Sequence, residues 1–381
     1  MPRIPTDPIR VVVVGGGVAA AEAVLALDDL AGDRVATTLV APNPALVLRA
    51  LSVRTPFGVA PPPAVPLDDL LAEHGGVLRP GIATSVDTAR RVVVCTAGDP
   101  VPYDQLVLAP GARPIPAFPD ALTFDPPDTG AIAALVADLD EGRASSVAFV
   151  VPAGATWPLP LYELALMTAA HGAEGARRPE VHVVTPEAAP LEVFGAEAAV
   201  AVADLLARAG IAFHSAPEPH VAPGGRITLV AGEVLAVDRV VALPRLEGPR
   251  LSGVLADEHG FIVTDGEGHV HGAPLVWAVG DATDQPIKQG GLACQQADAV
   301  AVRIASLAGV HVPVGPPEHD LRGLLLTGVE NRFLHRAIGG ARSTVSAGPL
   351  WSPPAKVSGA YLGPYLERRG VTASRTPAAT P

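Results

Sequence analysis

Two glycine-bearing stretches, far apart in the chain, have the residue types and spacing to hold the two ends of one extended dinucleotide. The first is Val11-Val12-Val13-Val14-Gly15-Gly16-Gly17-Val18-Ala19-Ala20. In its Gly15-x-Gly17-x-x-Ala20 pattern, Gly15 permits a tight turn and Gly17 lets a pyrophosphate approach the backbone. Ala20 is small enough for a helix to close on the preceding strand. The helix expected over residues 18–30 would aim its unpaired N–H groups and partial positive charge at the phosphates. The second stretch is Val276-Trp277-Ala278-Val279-Gly280-Asp281-Ala282, followed by Lys288-Gln289-Gly290-Gly291. FAD is the expected ligand of the two together. A ligand-free strand-to-helix turn is the alternative for the first alone.

Lysine is nearly absent. Of 27 basic residues, 25 are arginine and two are lysine, Lys288 and Lys356. Rare use gives weight to both positions, with a solvated surface charge as the alternative for each.

The elements that must position these residues follow from the apolar pattern. Residues 9–14 form a continuous β-branched run, as in a strand buried on both faces. Residues 35–40 read as the second parallel strand, completing a βαβ unit, and Pro42 stops it. Residues 76–87 and 91–95 read as strands of a small antiparallel insertion, and residues 103–109 as another buried parallel strand. Asp125-Pro126-Pro127-Asp128 reads as a crossover linker. A second α/β block follows, with strands over 146–151, 181–185, 211–214 and 239–243, helices over 159–170 and 196–209, and a hairpin around Ala231-Gly232. Strands over 260–265 and 275–279 then rejoin the first domain, followed by a helix over 291–307. The tail shows one strand, 324–327.

The expected fold class is therefore α/β: two Rossmann-like dinucleotide-binding domains, the second inserted in the first, plus a short C-terminal region. The expected boundaries are 1–125 with 246–310 for the first domain, 126–245 for the second and 311–370 for the C-terminal region. Residues 371–381, small and Pro-rich, are expected to be disordered.

At 381 residues, 49% apolar and 17% charged, the chain can bury two to three cores. A net charge of −12 argues against nucleic acid and anionic membrane surfaces as partners. No signal peptide is visible, and no uninterrupted apolar run reaches the ~20 residues of a membrane helix, so the chain reads as soluble and cytoplasmic. Cys95 and Cys294 form no C-x-x-C, which argues against a disulfide framework, a zinc site or a local dithiol, and no metal ligands are expected.

Four segments carry a family resemblance: residues 15–20, Leu106-Val107-Leu108-Ala109-Pro110-Gly111-Ala112, Tyr162-Glu163-Leu164-Ala165, and residues 276–291. Over residues 9 to about 365 the chain resembles the flavoprotein disulfide reductase superfamily, the pyridine nucleotide-disulfide oxidoreductases. Within it, the branch of type II NADH dehydrogenases and sulfide:quinone oxidoreductases is the most similar. The resemblance implies that Asp281 hydrogen-bonds the ribityl chain of FAD. It also implies that the helix starting near Gly290-Gly291-Leu292 faces the pyrimidine end of the flavin, where a helix N-terminus stabilises the reduced form. Lys288 would add positive charge there, and Lys356 would approach the ring from the tail. Glu163 aligns near the flavin N5 edge, where it could relay protons; a structural ion pair with an arginine is the alternative. Dimers are common among such relatives, which leaves a homodimer open.

Three departures stand out. Ala41, followed by Pro42, occupies the position where a carboxylate grips the adenosine ribose. The missing hydrogen bonds are worth roughly 1.5–3 kcal/mol each, with Asn43 or Arg49 as substitutes. The Ala-Thr-Gly of the family is Ala109-Pro110-Gly111. In the second domain, Val151-Pro152-Ala153-Gly154-Ala155-Thr156-Trp157-Pro158 lacks a glycine fingerprint, and Pro152 removes an N–H that would face phosphate. NAD(P)H is thus a second candidate ligand that the loop argues against. Neither cysteine matches the sulfide:quinone positions, and the tail lacks a basic amphipathic helix, so neither sulfide nor a membrane quinone is assigned.

Candidate cofactor contacts are Gly15, Gly17, Val18, Ala19, Ala20, Ala41, Pro42, Arg49, Ala83, Ala109, Pro110, Gly111, Gly280, Asp281, Gln289, Gly290, Gly291 and Leu292. Candidate catalytic residues are Glu163, Lys288 and Lys356. The function that follows is an FAD-dependent oxidoreductase working with a small-molecule redox partner. A degenerate relative serving as a scaffold and an NAD(P)H:acceptor reductase with an atypical loop are the alternatives.

Overall fold

The structure, a computed structural model, describes residues 7–126, 128–340 and 342–371. Pro127 of the expected linker and residues 372–381 of the expected disordered tail lie outside the described residues.

The run of valines after Arg10 is buried at the centre of a six-stranded sheet. In order, its strands are His269–Val270, Ala273–Ala278, Gln105–Leu108, Ile9–Val14, Val35–Ala41 and Val77–Pro80. All pairings are parallel except that of His269–Val270. Helix α1 (Val18–Ala31) returns the chain from the first strand to its neighbour, and α2 (Leu67–Glu73) precedes the edge strand. Between them a 3-10 segment, Arg49–Phe57, replaces regular structure.

The second parallel sheet has five strands, Leu122–Thr123, Arg239–Ala242, Ser146–Val150, Glu180–Thr185 and Ala212–Ser215. Its helices are α3 (Gly130–Glu141), α4 (Leu159–Glu174) and α5 (Ala196–Ala209). The chain leaves the first unit through Arg113–Ile115 and returns through Arg245–Glu247, and these two pair antiparallel. The second unit thus interrupts the first, which is completed by the late strand Ala273–Ala278 and by α6 (Gly290–Leu307). The Ala-rich face of α1, with Ala19, Ala20, Ala23 and Ala26 all buried, lets α6 pack closely against it. A three-stranded antiparallel sheet (Asp320–Leu325, Arg332–Ala337, Ser343–Ser346), an irregular strap and α7 (Leu362–Arg368) end the described chain.

Three expectations are corrected. Val77–Pro80 belongs to the parallel sheet, as an edge strand beside residues 38–41, while Ala83–Asp87 and Val92–Cys95 form the antiparallel insertion. Residues 260–265 make isolated bridges rather than a strand; Asp284 Oδ1 takes both the backbone N–H and the hydroxyl of Thr264, doing the work of a ladder partner. The tail holds three strands and a helix, where the apolar pattern marks one strand.

Candidate functional site

The two glycine-bearing stretches meet. Gly15 has φ of +128°, and a Cβ there would stand 2.1 Å from the Ala109 carbonyl oxygen. That carbonyl belongs to the Ala109-Pro110-Gly111 turn, so the turn after the third strand closes directly on the first. Gly17 differs: its backbone is extended, and a Cβ would meet nothing within 4 Å. This is open space beside the first turn of α1, the shape a phosphate needs. Opposite, Gly280 has φ of +70°, and a Cβ there would lie 3.4 Å from the Ala19 methyl and 3.1 Å from that of Ala293. Its N–H donates to Gln296 Oε1 at 2.7 Å, tying the Gly280-Asp281 turn to α6. A Cβ on Gly290 would meet Val18 at 3.5 Å. Gly17, Val18, Ala19, Gly280, Asp281 and Gly290 therefore form one neighbourhood, and Ala20 is fully buried behind it.

Asp281 is half-buried, and desolvation pushes its carboxyl up while the charges of Lys288 and Arg49 pull it back down. Arg49 lines an open cleft of about 330 Å³ with Pro110, Gly111, Arg113, Asp125 and Pro249. Lys288 donates to the Thr283 carbonyl and lies 3.9 Å from the Phe261 ring centroid. Burial lowers its pKa, opposed by Asp281, Asp284 and Asp257. Lys288 therefore lies within a cluster of carboxylates that includes Asp281.

The start of α6 is already capped. Gln289 Oε1 accepts from Leu292 N–H at 2.5 Å, and Gln289 Nε2 donates to the Arg322 carbonyl at 3.0 Å. Leu292 N–H is thus engaged within the protein. At the end of the second strand, Ala41 is buried against Gly16 and its carbonyl accepts Gly81 N–H at 3.0 Å; Pro42 is exposed. Ala83 starts the insertion two residues later, paired with Cys95.

Glu163 and Lys356 meet each other. Both are buried, and Lys356 Nζ donates to Glu163 Oε1, which also accepts Leu326 N–H at 3.0 Å. Glu163 Oε2 is buried with no hydrogen-bond partner among the described residues. Burial raises the Glu163 pKa and lowers that of Lys356, and each charge opposes the shift in the other. The rare lysine of the tail is therefore not solvated; it joins the C-terminal strap to α4.

In the second unit, the loop after Ser146–Val150 closes on itself through Ala155 N–H and the Pro152 carbonyl, 3.2 Å. Trp157 packs on Phe194, ring centroids 5.6 Å apart. Glu187, the first carboxylate past Glu180–Thr185, turns inward: Oε2 accepts from Tyr162 OH at 2.7 Å and from Thr185 Oγ1 at 3.0 Å. Burial pushes Glu187 up to about 7.

Sequence reasoning passed over Glu22, Asp298 and Gln296. Glu22 could have been found: it is a carboxylate inside the otherwise apolar Ala19–Leu27 stretch of α1, and it is fully buried.

With this geometry in hand, the comparisons are specific. Residues 9–297 match the family described as pyridine nucleotide-disulphide oxidoreductase, and the chain belongs to that family. Among solved structures it is similar to the sulfide:quinone oxidoreductase of Aquifex aeolicus, with TM-score 0.76, 18% identity, and 89% of this chain and 87% of that chain covered. It is also similar to a ferredoxin reductase from Rhodopseudomonas palustris, with TM-score 0.64, 20% identity, and 85% and 81% covered. A NAD-dependent persulfide reductase from A. fulgidus gives TM-score 0.62, 18% identity, and 86% and 64% covered. No curated protein matches the sequence. At these identities the structures speak to the fold, two Rossmann-like units. The family makes the chain an oxidoreductase of a flavin-using class, with donor and acceptor unidentified. Among the described residues, no helix is long and apolar enough to cross a membrane.

Proposed function

We propose that the chain is an FAD-dependent oxidoreductase that passes electrons between a small-molecule donor and an acceptor. The observation that carries this reading is the approach of Gly280 to Ala19, which sets the Gly280-Asp281 turn beside the open space at Gly17. Bound FAD would supply two-electron acceptance and one- or two-electron release. Gly17 and the first turn of α1 would receive the pyrophosphate, and Arg49 would offset its charge. Asp281, whose upward shift on burial is opposed by Lys288 and Arg49, would orient the ribityl hydroxyls. The start of α6 would favour negative charge on the ring. The Glu163–Lys356 pair would hold one proton between Lys356 Nζ and the Glu163 carboxyl, and Glu163 Oε2, which has no hydrogen-bond partner among the described residues, is the oxygen on which that carboxyl could take up a proton and release it.

The test is the visible spectrum of purified protein, as isolated and after adding FAD. Flavin bands that bleach with dithionite support the reading, and a colourless protein that rejects FAD overturns it. Ala41 and the capped Leu292 N–H favour a second reading, a degenerate relative with a binding or scaffold role. Stoichiometric FAD with donor-dependent turnover would exclude that. The proposal includes a cytoplasmic location, checked by fractionation, and light scattering decides whether the chain is a homodimer.

A further inference from the structure

The C-terminal strap has a second anchor, separate from Lys356. Glu22, fully buried in α1, accepts Tyr361 N–H on Oε1 at 2.9 Å and Leu362 N–H on Oε2 at 2.7 Å. Gly359 is required for this approach, since a Cβ there would stand 2.2 Å from Glu22 Oε2. Beside it, Asp298 of α6 shares a hydrogen bond with Glu22, and Asp298 Oδ1 is buried with no partner among the described residues. Two carboxyl groups in hydrogen-bond contact inside a protein cannot both be ionised at low cost. Between the two anchors, the strap crosses the start of α6. A Cβ on Gly290 would meet Val357 at 3.6 Å, and one on Gly291 would meet Ser358 Oγ at 3.3 Å. Residues 355–358 are buried. The strap is thus fastened to the second unit through Glu163 and to the first through Glu22, with the glycines proposed to face the flavin beneath it.

We propose that Glu22 and Asp298 share one proton and together clamp residues 355–362 over the start of α6, so that the strap opens in alkali. The effect on cofactor retention rests on the FAD reading; the clamp itself does not. Glu22, with two backbone donors, is the ionised partner. Burial and the Glu22 charge keep the proton on Asp298 up to about 9. An undocked Asp298 ionises in the ordinary carboxylate range, so docking takes up a proton. Closure is strongest at low pH and is lost as pH rises through about 9. The other titratable groups facing the pair are Cys294 on α6 and Tyr361 on the strap, the latter also facing Asp29. Burial and the neighbouring carboxyls raise both pKa values, and ionisation of either would add negative charge to the same cluster. On α7, Arg369 is engaged by Asp69 and Glu73 of α2.

Hydrogen exchange of the full chain, followed by mass spectrometry and scaled for base catalysis, tests the clamp. Exchange over 355–362 should quicken about a hundredfold between about pH 7 and about pH 10 in the native chain. In Asp298→Asn, whose amide donates to Glu22 at every pH, the change should be less than about twofold. In Glu22→Gln the strap should exchange about tenfold faster already at neutral pH. An unchanging native strap, an Asp298→Asn variant that titrates like the native chain, or loss of protection in Ile9–Val14 together with the strap would each overturn the clamp. In FAD-loaded protein, release should quicken in step with the strap. Release indifferent to pH while the strap opens would overturn the link to retention. Failure of FAD to bind would defeat the cofactor reading and leave the exchange measurements to decide the clamp.

Discussion

Glu163 and Lys356 show what residue type reveals and what it hides. Each attracts attention alone, one as a carboxylate in the Tyr162-Glu163-Leu164-Ala165 segment, the other as one of two lysines. Their pairing is invisible in sequence, because 193 positions separate them and no local periodicity connects them. A buried pair of this kind tolerates removal of both charges better than removal of one. Glu163→Gln should therefore destabilise the fold by about 3–5 kcal/mol, and adding Lys356→Met should restore most of it. Urea denaturation of the two single variants and the double variant measures this; additive losses would show that the charges do not interact. Ala41 supports a second expectation at the same scale. Ala41→Glu should restore one charge-assisted hydrogen bond, worth about 1.5–3 kcal/mol, and tighten FAD by about tenfold or more. Fluorescence titration reads it. A lower melting temperature with no gain in affinity would mean that this strand end faces protein and not a ribose.

At the scale of elements, the glycines of one short turn divide the labour. Gly15 answers to the fold, through its positive φ and the Ala109 carbonyl 2.1 Å from where a Cβ would stand. Gly17 answers to no neighbour, since a Cβ would find open space. Gly15→Val should therefore cost more than about 4 kcal/mol or prevent folding. Gly17→Val should leave thermal stability within about 0.5 kcal/mol of the native value while weakening FAD at least about tenfold by blocking the pyrophosphate. Melting curves with and without FAD separate the two, and a Gly17→Val chain that binds FAD normally would exclude this turn as the cradle. The turn was legible because strand, glycines and helix are contiguous, and the Gly280-Asp281 turn because its pattern is short. The strap was not. It has no periodicity, and its meaning lies in contacts such as Glu22 to Leu362, 340 positions apart. Val77–Pro80 was misplaced for a related reason: an edge strand with its side chains largely exposed has no apolar signature of its own.

For the whole molecule the open question is what the second parallel unit does. Its sheet order and helices fit a dinucleotide-binding unit, and one structural neighbour is described as NAD-dependent. Its loop is built differently. Pro152 offers no N–H, Trp157 rests on Phe194, and Glu187, the carboxylate nearest the strand end that would grip a ribose, is spent on Tyr162 and Thr185. Freeing Glu187 would break two hydrogen bonds, and the dinucleotide would have to repay both, each worth about 0.5–1.5 kcal/mol. What the unit does bring to the strap is α4, and with it Glu163. Electrons should then enter by another route. In anaerobic stopped-flow mixing, neither NADH nor NADPH should bleach FAD-loaded protein within seconds to minutes, whereas dithionite should bleach it fully. Bleaching by either nucleotide would show that the loop opens on binding and return the chain to the nicotinamide-dependent reductases. If bleaching survives Glu187→Ala, the carboxylate would be shown to have no part in holding the ribose.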